Sequence, residues 1–176
     1  MDNILSRRLI KLFVYGTLRK GKKFSYYMHD SIYKNLYYTQ GQLMLSEEDS
    51  VYIDNSDLDA VTVGELHLVS FYCLQRINHL ESVSFGFPQR YELAVRPVWK
   101  LNKRNEYDFS EANIDFAFYY RYKKSPKKII TGDFSHNFDV LEELKKFLII
   151  NSSNDLSPEK ITDHMRERMS IWQYEN

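Results

Sequence analysis

A helical stripe set among strand-like runs limits the class of fold open to this chain. In residues 70–81, Cys73, Ile77 and Leu80 fall at i, i+4 and i+7, and Leu74, Ile77 and Glu81 at i, i+3 and i+7. That spacing puts them on one face of a helix, with Ser70 as its N-cap. The apolar runs on either side have no such period. Residues 9–15, 32–38, 42–45, 61–69, 91–99 and 114–122 are rich in branched and aromatic side chains, and each reads as a strand. The first stops at Gly16, and Gly41 between the second and third marks a bulge or bend. Composition agrees: 14 Tyr and 11 Phe are residues that favour pleated, half-buried surfaces.

Between these elements the chain is polar. Residues 1–8, 21–23, 46–59, 82–89 and 101–113 read as terminus or loop, the last as a loop or hairpin insertion, and 24–29 as a short helix. Residues 123–128 form a basic turn, and 129–132 are short and extended. The tail changes character. Val140, Leu141, Leu144, Phe147 and Leu148 have helical spacing across 140–150. Ser157-Pro158 then supplies the N-cap and first position of a last helix, expected to run to about residue 169. The expectation is an α+β domain, strand-rich to about residue 135, with a helical C-terminal addition.

Charge narrows the function classes. Lys plus Arg number 24 and Asp plus Glu 24, so no bulk basic charge draws the chain to nucleic acid and no acidic tail is present. The single cysteine, Cys73, excludes an internal disulfide and any zinc site built from several thiolates, and fits a reducing compartment. No apolar run has the length of a membrane span, and residues 9–15, interrupted by Lys11, are too short for a signal core. A soluble cytoplasmic protein without membrane or nucleic-acid partners is the expectation.

Two places can carry chemistry. After the first strand, Tyr15-Gly16-Thr17-Leu18 offers a sharp turn in which successive amide N–H groups converge on an anion; the plainer reading is an ordinary strand end. Glu81 lies on the helical stripe at the helix C-terminus. There, partial desolvation and the negative end of the helix dipole both disfavour its charged form and raise its pKa. If instead the helix ends one residue earlier, Glu81 is solvated. Cys73 reads as packing. The five histidines lack metal-ligand spacing and read as structural or surface residues.

The order of these pieces resembles the gamma-glutamylcyclotransferase-like family, also called AIG2-like. Phe13-Val14-Tyr15-Gly16-Thr17-Leu18-Arg19-Lys20-Gly21 is similar to its opening strand and loop. Gly41-Gln42-Leu43 resembles its second strand region, and Val63-Gly64-Glu65-Leu66-His67-Leu68-Val69 the strand before its helix. Ile77-Asn78-His79-Leu80-Glu81 stands where the family carries its catalytic glutamate. Phe87-Pro88-Gln89-Arg90-Tyr91 resembles the entry to its next strand. Ala117-Phe118-Tyr119-Tyr120 and Ile130-Thr131-Gly132-Asp133-Phe134 resemble its last two motifs. Leu93 stands where the family often has arginine, and Asn78 where aspartate is usual.

The resemblance implies a small mixed, mainly antiparallel β-barrel with flanking helices over residues 1–135, and a helical extension packed on it over 136–176. It implies a cofactor-independent, metal-free enzyme acting on a small γ-glutamyl substrate. The substrate's α-amine attacks its own γ-amide carbonyl and gives 5-oxoproline and a free amine or amino acid. Glu81 would be the general acid/base. The amides of Gly16, Thr17 and Leu18 would hold the substrate carboxylate or the developing oxyanion, Tyr15 and Tyr120 would wall the pocket, and Tyr91 would reach it. Thr17, where the glutathione-specific branch usually has serine, leans towards γ-glutamylamines or γ-glutamyl amino acids. The alternatives are a non-catalytic binder of a small carboxylate metabolite, or an interaction protein working through its helical tail. An intact Glu81 favours the enzyme.

Overall fold

Strand β1 (Leu9–Val14) is flanked on both sides. On one edge it pairs antiparallel with β5 (Val61–Ser70), from Leu9 opposite Ser70 to Val14 opposite Glu65. On the other it pairs parallel with β7 (Ile114–Tyr122), Leu12 opposite Phe118. Strands β2 (Ile32–Gln40) and β6 (Tyr91–Lys100) complete the ring in the order β1-β5-β2-β6-β7, with every other pairing antiparallel. The chain is thus a closed, mixed, mainly antiparallel five-stranded barrel. The computed structural model describes residues 2–46, 50–82, 91–122 and 140–175.

Alternation along the strands builds two cores. Ile10, Leu12, Val14, Leu93, Phe118 and Tyr120 join one buried cluster, and Phe13, Tyr15, Ala94, Ala117 and Tyr119 the other. Adjacent residues thus go to opposite faces, as a period of two requires. The first cluster is covered by helices. Strand β5 runs directly into α2 (Phe71–Ser82), whose start is capped by the Ser70 hydroxyl accepting the Cys73 N–H at 3.2 Å. Cys73, Leu74 and Ile77 are fully buried against the barrel, each large aliphatic contributing about 1.5–3 kcal/mol. Burial also pushes the Cys73 thiol up to about 12, in keeping with a packing role.

The C-terminal helices share that core. Leu144 and Leu148 of α3 (Val140–Ile150) and Ile161 and Met165 of α4 (Pro158–Glu175) are buried in the same cluster. Ser157 caps α4, accepting the Lys160 N–H at 3.2 Å. Lys11, a buried cation on β1, pins α4 to the barrel by pairing with Asp115 at 2.7 Å and Glu159 at 2.8 Å. The Arg166 guanidinium lies 3.8 Å from the Phe116 ring centre. Among the described residues no helix is long and apolar enough to cross a membrane.

Several sequence expectations need correction. Residues 2–7, read as a polar terminus, form a short helix α1 (Asp2–Arg7) that buries Leu5. Residues 51–54, read as part of a loop, form strand β4 (Val51–Asp54), which pairs with β3 (Gln42–Leu45) in a hairpin outside the barrel. The last helix runs to Glu175, beyond the expected 169. The short helix expected over 24–29 is present, as the 3-10 helix Ser25–Met28. The insertion 101–113 is a loop, as expected, and its Phe109 and Tyr107 sit edge-on to Tyr38, which stacks on Trp99. Residues 83–90, 123–139 and the motifs read there lie outside the described residues.

Two glycines have steric causes. Gly64 lies so close to β1 that a Cβ would sit 2.5 Å from the Val14 carbonyl oxygen and 2.7 Å from the Phe13 ring. Gly41, at φ +117, bends the chain out of β2 into the hairpin. Gly16 differs from expectation, because its φ is not positive and a Cβ there would meet Val51 at an ordinary 3.8 Å.

Candidate active site

The turn after β1, the end of α2, the start of β6, the last part of β7 and the start of β4 line a cavity of about 400 Å³. Tyr15, Gly16, Thr17, Leu18, Glu81, Tyr91 and Tyr120 all line it. The sequence brings them from four separate segments. Phe24, Ser50, Val51, Leu80 and the exposed Lys23 also line it and were not singled out from sequence.

The turn wall is built from backbone. The Gly16 carbonyl accepts the Arg19 N–H at 3.1 Å, and the Thr17 carbonyl accepts the Phe24 N–H at 2.9 Å. The N–H groups of Gly16, Thr17 and Leu18 have no acceptor among the described residues. Beneath the turn sits Glu65, buried on β5. Its carboxylate accepts the Lys20 N–H at 3.1 and 3.3 Å, faces Arg19 Nε at 3.5 Å, and lies 3.1 Å from His67 Nε2. His67 Nδ1 in turn is 2.8 Å from the Ser31 hydroxyl. This network ties the turn to the barrel and gives His67 the structural role expected of it.

The opposing wall carries the ionisable group. Helix α2 continues through Glu81, so this carboxyl stays on the apolar stripe and is partly buried. Burial raises its pKa to about 7. Among the described residues its carboxylate has no hydrogen-bond or ion-pair partner. Two phenols feel its charge. Tyr15 is held well above its usual pKa by burial first, then by Tyr91 and Glu81, and Tyr120 likewise by burial and then Glu81. Both therefore remain protonated. The Tyr15 hydroxyl donates to the Tyr120 carbonyl at 2.6 Å, and the Tyr120 hydroxyl to the Leu74 carbonyl at 3.4 Å. Their rings form the floor, and their protons are committed to the protein.

The third wall is the hairpin β3–β4, which barrel side chains fasten at its base and near its tip. At its base the buried Arg96 donates to the Gln40 carbonyl at 2.6 Å and to Asn55 Oδ1 at 3.2 Å. Near its tip the Tyr91 hydroxyl donates to the Val51 carbonyl at 2.7 Å. Tyr122 stacks on Tyr52 and meets Tyr91 edge-on, completing an aromatic hinge plate. Among the described residues no three His, Cys, Asp or Glu side chains come together as a metal site.

No protein-family model matches the chain, and no curated protein does. Solved structures do. An AIG2-like protein from Mus musculus superposes with a TM-score of 0.54 and 17% identity, over 76% of this chain and 90% of that one. YkqA from Bacillus subtilis gives 0.48 and 22% over 65% of this chain but 36% of its own, so this chain spans about a third of that protein. An uncharacterised protein from Pyrococcus horikoshii gives 0.46 and 22%, over 67% and 81%. At these identities the likeness is one of architecture: the chain has the AIG2-like, or gamma-glutamylcyclotransferase-like, fold.

Proposed function

We propose that this chain is a gamma-glutamylcyclotransferase-type enzyme that converts a γ-glutamyl amine or γ-glutamyl amino acid into 5-oxoproline and the free amine or amino acid. The observation that carries the reading is a carboxyl with a pKa of about 7 sharing one cavity with the Gly16, Thr17 and Leu18 backbone N–H groups, none of these groups having a partner among the described residues. A binder of anions needs the amides. It has no need of a desolvated carboxylate beside them.

The steps follow from the groups present. The substrate's α-ammonium gives a proton to Glu81, and the freed amine attacks the γ-amide carbon. The carbonyl π pair moves to oxygen and a five-membered tetrahedral intermediate forms. As the carbonyl reforms, the bond to the leaving nitrogen breaks and Glu81 returns its proton to that nitrogen; the Glu81 carboxylate then relays the ring nitrogen's extra proton to the released amine, so that 5-oxoproline leaves as a neutral lactam and the amine as an ammonium. A group with a pKa near neutrality serves both transfers and contributes about 10²–10⁴-fold. Because nucleophile and electrophile belong to one molecule, the site's other task is to hold a folded conformer, which the Tyr15 and Tyr120 rings and the hairpin wall favour by shape.

The test is to incubate the purified chain with a panel of γ-glutamyl amines and γ-glutamyl amino acids and to assay 5-oxoproline. Turnover that Glu81→Gln abolishes supports the reading. A wild-type chain that binds 5-oxoproline yet turns over no member of the panel would make it a binding protein.

A further inference from the structure

Ser50 lies immediately before β4, in a segment whose sequence reads as solvent loop. It is only 8% exposed, yet it lines the cavity. Its backbone is fully engaged: the Ser50 N–H donates to the Ser46 hydroxyl at 3.0 Å, and the Ser50 carbonyl accepts the Ser46 N–H at 2.9 Å. Its own hydroxyl has no hydrogen-bond partner among the described residues and is not sealed in protein, and the residue itself lines the cavity. A hydroxyl on so buried a residue is normally paired.

Its neighbour fixes where it stands. Val51 packs on Gly16, at 3.8 Å from the position of a Cβ there, and its carbonyl is fastened by Tyr91 at 2.7 Å. The hairpin thereby sets Ser50 beside the turn whose Gly16, Thr17 and Leu18 N–H groups lack acceptors. Three amides and one hydroxyl make four donors. A carboxylate offers about four lone-pair sites on two oxygens, whereas the single oxygen of a tetrahedral intermediate offers fewer.

Resting on the reading given under Proposed function, we propose that Ser50 is a substrate-binding residue whose hydroxyl donates to the α-carboxylate of the γ-glutamyl group, alongside the amides of the Gly16–Leu18 turn. The residue reads a group common to substrate and product, so its effect falls on binding and not on the proton transfers.

The test compares wild type, Ser50→Ala and Ser50→Thr by calorimetric titration with 5-oxoproline, which carries the carboxylate, and with 2-pyrrolidinone, which lacks it. Steady-state kinetics on the best γ-glutamyl substrate run in parallel. Ser50→Ala is expected to weaken 5-oxoproline roughly ten-fold and to raise KM similarly. Its kcat and melting temperature stay near wild type, 2-pyrrolidinone binding is unchanged, and Ser50→Thr keeps most of the affinity. Equal 5-oxoproline affinity in wild type and Ser50→Ala overturns the assignment, as does equal weakening of both ligands. A wild type that neither binds 5-oxoproline nor turns over any γ-glutamyl compound overturns the functional reading itself, and this assignment with it.

Discussion

The Tyr91 hydroxyl and the Val51 carbonyl meet at 2.7 Å, across the gap between the barrel and a hairpin that belongs to no barrel sheet. Tyr91 thus lines the cavity and fastens one of its walls. Tyr91→Phe keeps the ring and removes the fastening. It should raise KM for the γ-glutamyl substrate several-fold while changing kcat less, and lower stability by about 1 kcal/mol, as steady-state kinetics and urea unfolding would show.

Glu81 titrates near pH 7, so kcat/KM should rise with pH through about 7 as the base form appears. Glu81→Gln should lose about 10²–10⁴-fold in kcat/KM. Stability moves the other way. The folded pKa lies above the ordinary value of 4.5, so this carboxyl's stabilising contribution is full below about pH 4.5 and is lost as pH rises through about 7. Glu81→Gln should therefore be more stable than wild type at pH 8, by no more than about 3 kcal/mol, with the gap closing at pH 4. Denaturant titrations at the two pH values decide it.

Gly41→Ala probes the base of the hairpin. At φ +117 any side chain is strained, and the new Cβ would sit 2.6 Å from Ile53 Cγ2 and 3.0 Å from the Asp54 carbonyl oxygen. A loss of about 1–3 kcal/mol is expected, read as a fall in melting temperature.

Lys11→Met cuts the barrel's ionic link to α4. The hydrogen bond from Lys11 holds Glu159 below the usual carboxylate range. Its contribution to stability is therefore present above about pH 4.5 and lost as pH falls through that lowered value. Both carboxylates are partly solvated, so the loss at pH 7 should be about 1–2 kcal/mol. It should shrink at pH 3, as urea unfolding at both pH values would show.

Much of this was legible in the residues. The α2 stripe could be read because burial of Cys73, Leu74 and Ile77 imposes a helical period, and Ser70 and Ser157 because a cap has a fixed offset from the N–H it accepts. The two-residue period of Ala117, Phe118, Tyr119 and Tyr120 announced two faces. Strand β4 could not be read: its apolar run is only Val51-Tyr52-Ile53, and its partners, the Tyr91 hydroxyl and the Tyr122 ring, come from far along the chain. Helix α1 buries the lone Leu5 against elements that the fold brings to it. Glu65 was hidden for a similar reason: a carboxylate inside an apolar strand gives no sign that Arg19, Lys20 and His67 converge on it. Glu81 stood out because its position on the stripe conflicts with its charge, whereas Ser50 carries no such conflict.

The parallel pairing of Leu12 with Phe118 has a consequence for the chain as it leaves the ribosome. Strand β1 is made first, but its second edge waits for β7, which is the last strand of the barrel to be made. Pairings this distant in sequence are slow to form. Throughout translation of the intervening segment, Ile10, Leu12 and Val14 sit on an open edge that other copies can join. Premature termination anywhere before Ile114 would leave that edge permanently unclosed and release a sticky fragment in place of a less stable version of the same fold.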